Sequence, residues 1–85
     1  MPLYVVDVSD VAEAQIDALD GSVRPRVIKR IQALKEDPRP AGCKKLANSD
    51  LWRIRVGDYR VVYSIDDAKL WVLIVRVRHL REVYR

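Results

Sequence analysis

The sequence predicts an α+β domain in which two N-terminal helices pack on one face of a mainly antiparallel four-stranded sheet, as a single unit over residues 1–85. Three observations carry this prediction. Apolar residues recur at helical spacing between Asp10 and Glu36, apolar and basic residues alternate with period two from Leu51 onward, and a Gly57-Asp58 turn divides the alternating segment in two. Helices grouped before a run of strands are the signature of a sheet covered on one side.

Leu3 to Val8 is β-rich and reads as the first strand. Ser9 is suited to cap a first helix over Asp10–Leu19, with Val8, Ala12, Ile16 and Leu19 in register. Asp20-Gly21 ends it, and Ser22 is placed to cap a second helix from Val23 to about Glu36. Pro25 then falls in the first turn, where its missing N–H costs little. Asp37 to Gly42 is a loop by its proline and glycine content. Three further strands follow. No repeat, linker or low-complexity tract interrupts the chain.

The formal net charge of +4 is unevenly placed. Residues 1–43 hold six Lys/Arg against seven Asp/Glu, whereas residues 44–85 hold ten against five. A basic C-terminal half indicates a localised anion-binding face. The single Cys43 excludes an internal disulfide and fits a reducing compartment. With one His and one Cys, no ligand set for a zinc site is expected, and no cofactor is implied. The start shows no secretory pattern, and the apolar run Leu70–Val75 is too short for a membrane span, so a cytoplasmic protein is expected.

The hairpin turn sets the geometry of the basic face. A two-residue turn opposes Val56 to Tyr59, Arg55 to Arg60, Ile54 to Val61 and Arg53 to Val62. Opposed residues share a sheet face. Trp52, Ile54, Val56, Tyr59, Val61, Tyr63 and Ile65 then face the helices, and Arg53, Arg55 and Arg60 face away. Like charges directly opposed destabilise a sheet, so the Arg55–Arg60 pair calls for an anionic ligand. In the last strand, apolar Trp71, Leu73, Val75 and Val77 are assigned to the core, which puts Val72, Ile74, Arg76 and Arg78 on the basic face. An apolar strip of Val62, Val72 and Ile74 beside those arginines would suit a protein partner. His79, Arg81 and Tyr84 follow closely enough to close over its edge, offering a titratable imidazole, a phosphate fork and a stacking ring.

The run Leu51 to Tyr63, the ending Arg81-Glu82-Val83-Tyr84, the loop Glu36 to Pro40 and Lys44-Lys45-Leu46 together resemble the RelE/ParE superfamily of bacterial and archaeal toxins, the RelE branch above all. The resemblance covers nearly the whole chain. It implies a microbial RNase-like fold and a toxin that enters the ribosomal A site, beside 16S rRNA, and cuts the mRNA codon there. The implied chemistry is metal-independent attack of a ribose 2′-OH on the adjacent phosphate. It further implies a cognate antitoxin that wraps and silences the toxin in a hetero-oligomer.

Carried over by motif, Arg60, Arg81, Tyr84 and His79 are the implied catalytic group, with Arg78 a second candidate for the C-terminal arginine. Arg53, Arg55, Arg76, Arg78, Lys44 and Lys45 are the implied RNA contacts, and Val62, Val72 and Ile74 the antitoxin contacts. Arg53 and Arg55 stand where the family often has lysine. Arginine stays protonated, so these two stabilise charge without accepting a proton, and proton transfer falls to His79 or Tyr84 or is dispensed with. The alternatives on the same fold are a ParE-like inhibitor of DNA gyrase and an inactive, antitoxin-binding relative.

Overall fold

Each helix is fixed by contacts at its ends as much as by its apolar stripe. In the computed structural model, which describes residues 3–83, strand β1 (Val5–Val8) runs into helix α1 (Asp10–Asp17) at Ser9. The Ser9 hydroxyl accepts the Ala12 N–H at 3.1 Å and donates to the Val75 carbonyl at 2.9 Å, so one side chain caps the helix and ties it to the last strand. Asp10 and Glu13 complement the positive end of the helix dipole. Helix α2 (Arg24–Ala33) carries Pro25 in its first turn, as expected. Its N-cap is Val23 rather than Ser22, with no side-chain cap; the Val23 and Arg24 N–H groups bond the Asp20 carbonyl instead. The Arg24 guanidinium in turn donates to the carbonyls of Ile16, Asp17 and Leu19 at 3.3, 2.9 and 2.8 Å, capping the end of α1.

The sheet is larger than expected. Strands β2 (Lys44–Lys45), β3 (Leu51–Val56), β4 (Tyr59–Asp66) and β5 (Trp71–His79) join β1 in the order β1-β5-β4-β3-β2, five among the described residues instead of four. The sheet is also mixed, because β1 lies parallel to β5 while the other pairs are antiparallel. A short helix α3 (Leu80–Val83) follows β5. Among the described residues no helix is long and apolar enough to cross a membrane.

The hairpin register matches the expectation pair for pair, from Val56↔Tyr59 and Arg55↔Arg60 to Arg53↔Val62. The last strand does not. Val62 pairs with Arg76 but Tyr63 pairs with Ile74, so Val75 is an extra residue on β5, a β-bulge. Beyond it every side chain changes face. Val72 and Ile74, expected on the basic face, are fully buried under the helices beside Tyr63 and the partly buried Ile65. Trp71 and Leu73, expected in the core, point to the outer face with Asp66 and Ser64. On the hairpin side of the bulge, Val77 is in the core and Arg76 and Arg78 lie outside, as predicted.

The core thus comprises Ala12 and Ile16 of α1, Val27 and Ile31 of α2, and the inner faces of β3, β4 and β5. Its largest fully buried side chain is Tyr63, whose hydroxyl donates to the Pro38 carbonyl at 2.8 Å. Burial, with smaller contributions from Cys43, holds that hydroxyl protonated well above the usual phenol range.

Candidate nucleic-acid interface

Two rungs of cations cross the outer face of the sheet. Arg60, on the central strand, pairs with Arg55 on one side and Arg78 on the other. One rung further along, Val62 pairs with Arg53 and Arg76, and Arg53 pairs with Lys44 on the edge strand. Neighbouring strands lie about 4.8 Å apart and alternate residues about 6.6 Å apart, so these side chains rise from a tight grid. Arg60, Val62, Arg76 and Arg78, together with Leu46, line a cleft of about 390 Å³. Val62 is its apolar floor, only 5% exposed.

The rungs differ in exposure. Arg53 is buried, and its Nη1 reaches the Gly42 carbonyl at 3.5 Å, so its charge underlies the surface. Arg55 and Arg78 are exposed, and with Arg76 they form no ion pair among the described residues. Strand pairing thus holds three arginines abreast, with like charges opposed across three strands. A phosphate placed between them accepts forked, charge-assisted hydrogen bonds from several sides without reorganisation of the backbone.

Several expected site residues lie elsewhere. His79 continues β5 opposite Tyr59 and therefore faces the helices. Its ring meets Tyr59 edge to face at 5.0 Å, in a cleft with Gln15, Ala18 and Leu19, and its Nδ1 accepts the Arg81 N–H at 3.2 Å. Strand parity thus separates it from the arginines. Lys45 pairs with Trp52 on the inner face, so of the two lysines only Lys44 stands on the basic side. Val72 and Ile74, buried in the core, present no surface to a partner. Arg81 is exposed on α3, whose first N–H, that of Leu80, donates to the Asp58 carbonyl at 2.7 Å. That bond pins α3 to the hairpin turn, at the end of the sheet that carries the Arg55–Arg60–Arg78 rung. Tyr84 lies outside the described residues.

Two features escaped the sequence reading. Leu46 lines the cleft because the short strand β2 brings it there, and a two-residue strand leaves no periodic signal. Among the described residues the exposed large apolar ones are Leu3, Val5, Val8, Val11 and Ile28, on or next to β1 and the two helices and away from the arginines of the sheet.

A model of the ParE toxin of type II toxin–antitoxin systems matches residues 6–84. The chain belongs to this family. Solved structures place the fold within the wider RelE/ParE superfamily. The toxin–antitoxin complex RelBE2 of Mycobacterium tuberculosis is similar with a TM-score of 0.81 at 28% identity, covering 91% of this chain and 98% of that one. The RelE–RelB complex of Pyrococcus horikoshii gives 0.82 at 26%, covering 94% and 97%. The isolated RelE toxin of Escherichia coli gives 0.79 at 28%, covering 95% and 90%. No curated protein sequence matches the chain. The family carries the α+β toxin fold, and the arginine grid is what this member builds on it.

Proposed function

We propose that this toxin is a ribosome-dependent mRNA endonuclease, silenced by a cognate antitoxin. The observation that carries the reading is the Arg55–Arg60–Arg78 rung, a fixed array of opposed cations whose geometry suits a phosphodiester. In the proposed step the ribose 2′-oxygen attacks the adjacent phosphorus, the bond from phosphorus to the 5′-oxygen breaks, and the products are a 2′,3′-cyclic phosphate and a 5′-hydroxyl. The proton leaves the 2′-OH and one is delivered to the departing 5′-oxygen. Arg60, Arg76 and Arg78 hold the non-bridging oxygens and stabilise the charge that gathers on them. Arg81 supports the leaving group, and Tyr84 orients the base by stacking. Lys44, opposite Arg53 on the same face, is an amine able to exchange a proton where the arginines are not. His79 is turned toward the helices, and the proposed step leaves it out.

The test is inducible expression followed by primer-extension mapping of a translated message. Cuts within codons, lost in an Arg60→Ala, Arg81→Ala double variant, support the nuclease. The family model's ParE character favours a second reading, inhibition of DNA gyrase. DNA breaks with intact message would establish that reading in its place, and an inactive relative would give neither. Partnership with an antitoxin rests on the solved complexes of similar toxins with RelB. Co-purification with the product of a neighbouring gene tests it.

A further inference from the structure

A second group of cations stands on the other side of the hairpin, outside the site described above. Arg26, Lys29 and Arg30 of α2 line a cleft of about 290 Å³ with Val56 and Gly57. All three are exposed, and none forms an ion pair among the described residues. Lys29 and Arg30 lie three and four positions after Arg26, so each crowds it on the helix surface, where like charges destabilise a helix by a few tenths of a kcal/mol per pair. The stretch Arg24–Ala33 contains no acidic residue to offset them. Arg24, the remaining cation of α2, is engaged by the end of α1.

The group is also positioned. A Cβ on Gly57 would come within 3.3 Å of the Arg26 guanidinium, so the glycine required by the turn (φ +59°) also lets that side chain lie close against the hairpin. Arg30 Nη1 donates to the Arg55 carbonyl at 3.4 Å, which ties α2 to the strand whose side chain points into the first site. The turn therefore carries arginines of the grid on one face and the α2 cations on the other.

We infer that the α2–hairpin cleft is a second phosphate-binding surface, and that it takes the backbone of double-stranded RNA. No aromatic side chain lines it, and single-stranded RNA is held by stacking as well as charge. A duplex is instead read through its phosphates and 2′-hydroxyls, by shape. A protein partner would want an apolar centre with few charges, and the only apolar side chain here, Val56, is 4% exposed. The inference extends the RNA reading above and fails separately from it.

Fluorescence anisotropy with a labelled RNA duplex of about 16 base pairs tests it, using the full chain between about 50 and 200 mM salt. An Arg26→Gln, Lys29→Gln, Arg30→Gln triple variant should bind at least about tenfold more weakly at the low-salt end, with the slope of log affinity against log salt smaller by about 2. Arg30→Gln alone should lower the slope by about 1. An Arg76→Gln, Arg78→Gln variant should keep duplex affinity while losing mRNA cleavage. Wild-type affinity and slope in both α2 variants would overturn the inference. So would binding of a polyglutamate peptide, lost in the triple variant, with no duplex binding by the wild type. Absence of mRNA cleavage by the wild type, with duplex binding still lost in the triple variant, would overturn the nuclease and leave this surface standing.

Discussion

The two ends of the sheet treat charge in opposite ways. At the β4–β5 turn the carboxylates of Asp67 and Asp7 are met by donors. Asp67 receives both Arg39 guanidinium nitrogens at 3.1 and 2.9 Å and the Tyr4 hydroxyl at 2.6 Å, Arg39 lies over the Trp52 ring at 5.0 Å, and the Trp71 indole donates to Asp7 at 2.6 Å. At the β3–β4 turn, arginine faces arginine across two strand pairs, and more cations approach from α2. One end joins β1, the loop after α2 and the turn after β4. The other sets arginine opposite arginine across the sheet. Where folding alone sets the residues, opposite charges meet; where they do not meet, the arrangement points to function.

The largest expected effect tests the geometry that separates the two ends, the bulge at Val75. Ile74→Ala empties a fully buried position and should cost about 2–5 kcal/mol in denaturant unfolding. Leu73→Ala, next door on the outer face, should cost about 1 kcal/mol or less. A reversed ranking would restore the unbulged register. Next comes Arg60→Ala, expected to lower mRNA cleavage by about 100-fold or more while the protein stays folded with a smaller loss of stability than Ile74→Ala. A large loss of stability together with activity would make Arg60 a folding residue and blur the contrast between the ends.

The matched end should respond to acid. Hydrogen bonds from Arg39 and then Tyr4 hold the Asp67 carboxyl at about 2, below its ordinary value of 3.8. Its folded-state pKa is depressed, so its contribution is fully present above the unfolded value and is lost as pH falls from about 4 toward 2. Asp67→Asn should lower the melting temperature at neutral pH and flatten its decline across that window. The pair is exposed, so the effect is smaller than that of the core substitution. Cleavage at neutral pH should be unchanged. A variant with wild-type acid sensitivity would show that the network does not stabilise the fold.

These contrasts also show where the sequence was legible. The hairpin could be read because alternation on both strands agrees with a two-residue Gly57-Asp58 turn, and together they leave one register. The basic face followed directly. The start of β5 could not be read in this way: Leu70 to Val75 is apolar throughout, so either phase satisfies the pattern, and a bulge has no residue signature of its own. Alternation resumes at Arg76, and from there pattern and structure agree. His79 was misplaced for a related reason, since β5 runs on through it and parity carries it to Tyr59 and the helices. The β1–β5 pairing joins residues 66 positions apart and depends on how the helices return the chain. His79→Ala should therefore leave cleavage at the wild-type rate, and a loss would return the imidazole to the chemistry.

The smallest effect bears most directly on the unmatched end. Arg55→Thr replaces one of two opposed cations with a β-branched residue suited to a strand. Removing the repulsion should stabilise the protein by about 0.2–1 kcal/mol, measured as a higher denaturant midpoint with unchanged slope. The gain should shrink as salt rises, because Arg55 is exposed and its repulsion is screened. RNA affinity should fall in the same variant, with a shallower salt dependence by about one phosphate contact. Stability and binding then move in opposite directions on one substitution, as expected of a charge kept for its ligand. If both fall together, the Arg55–Arg60 pair is part of the fold's own packing, and the two ends of the sheet differ less than their charges suggest.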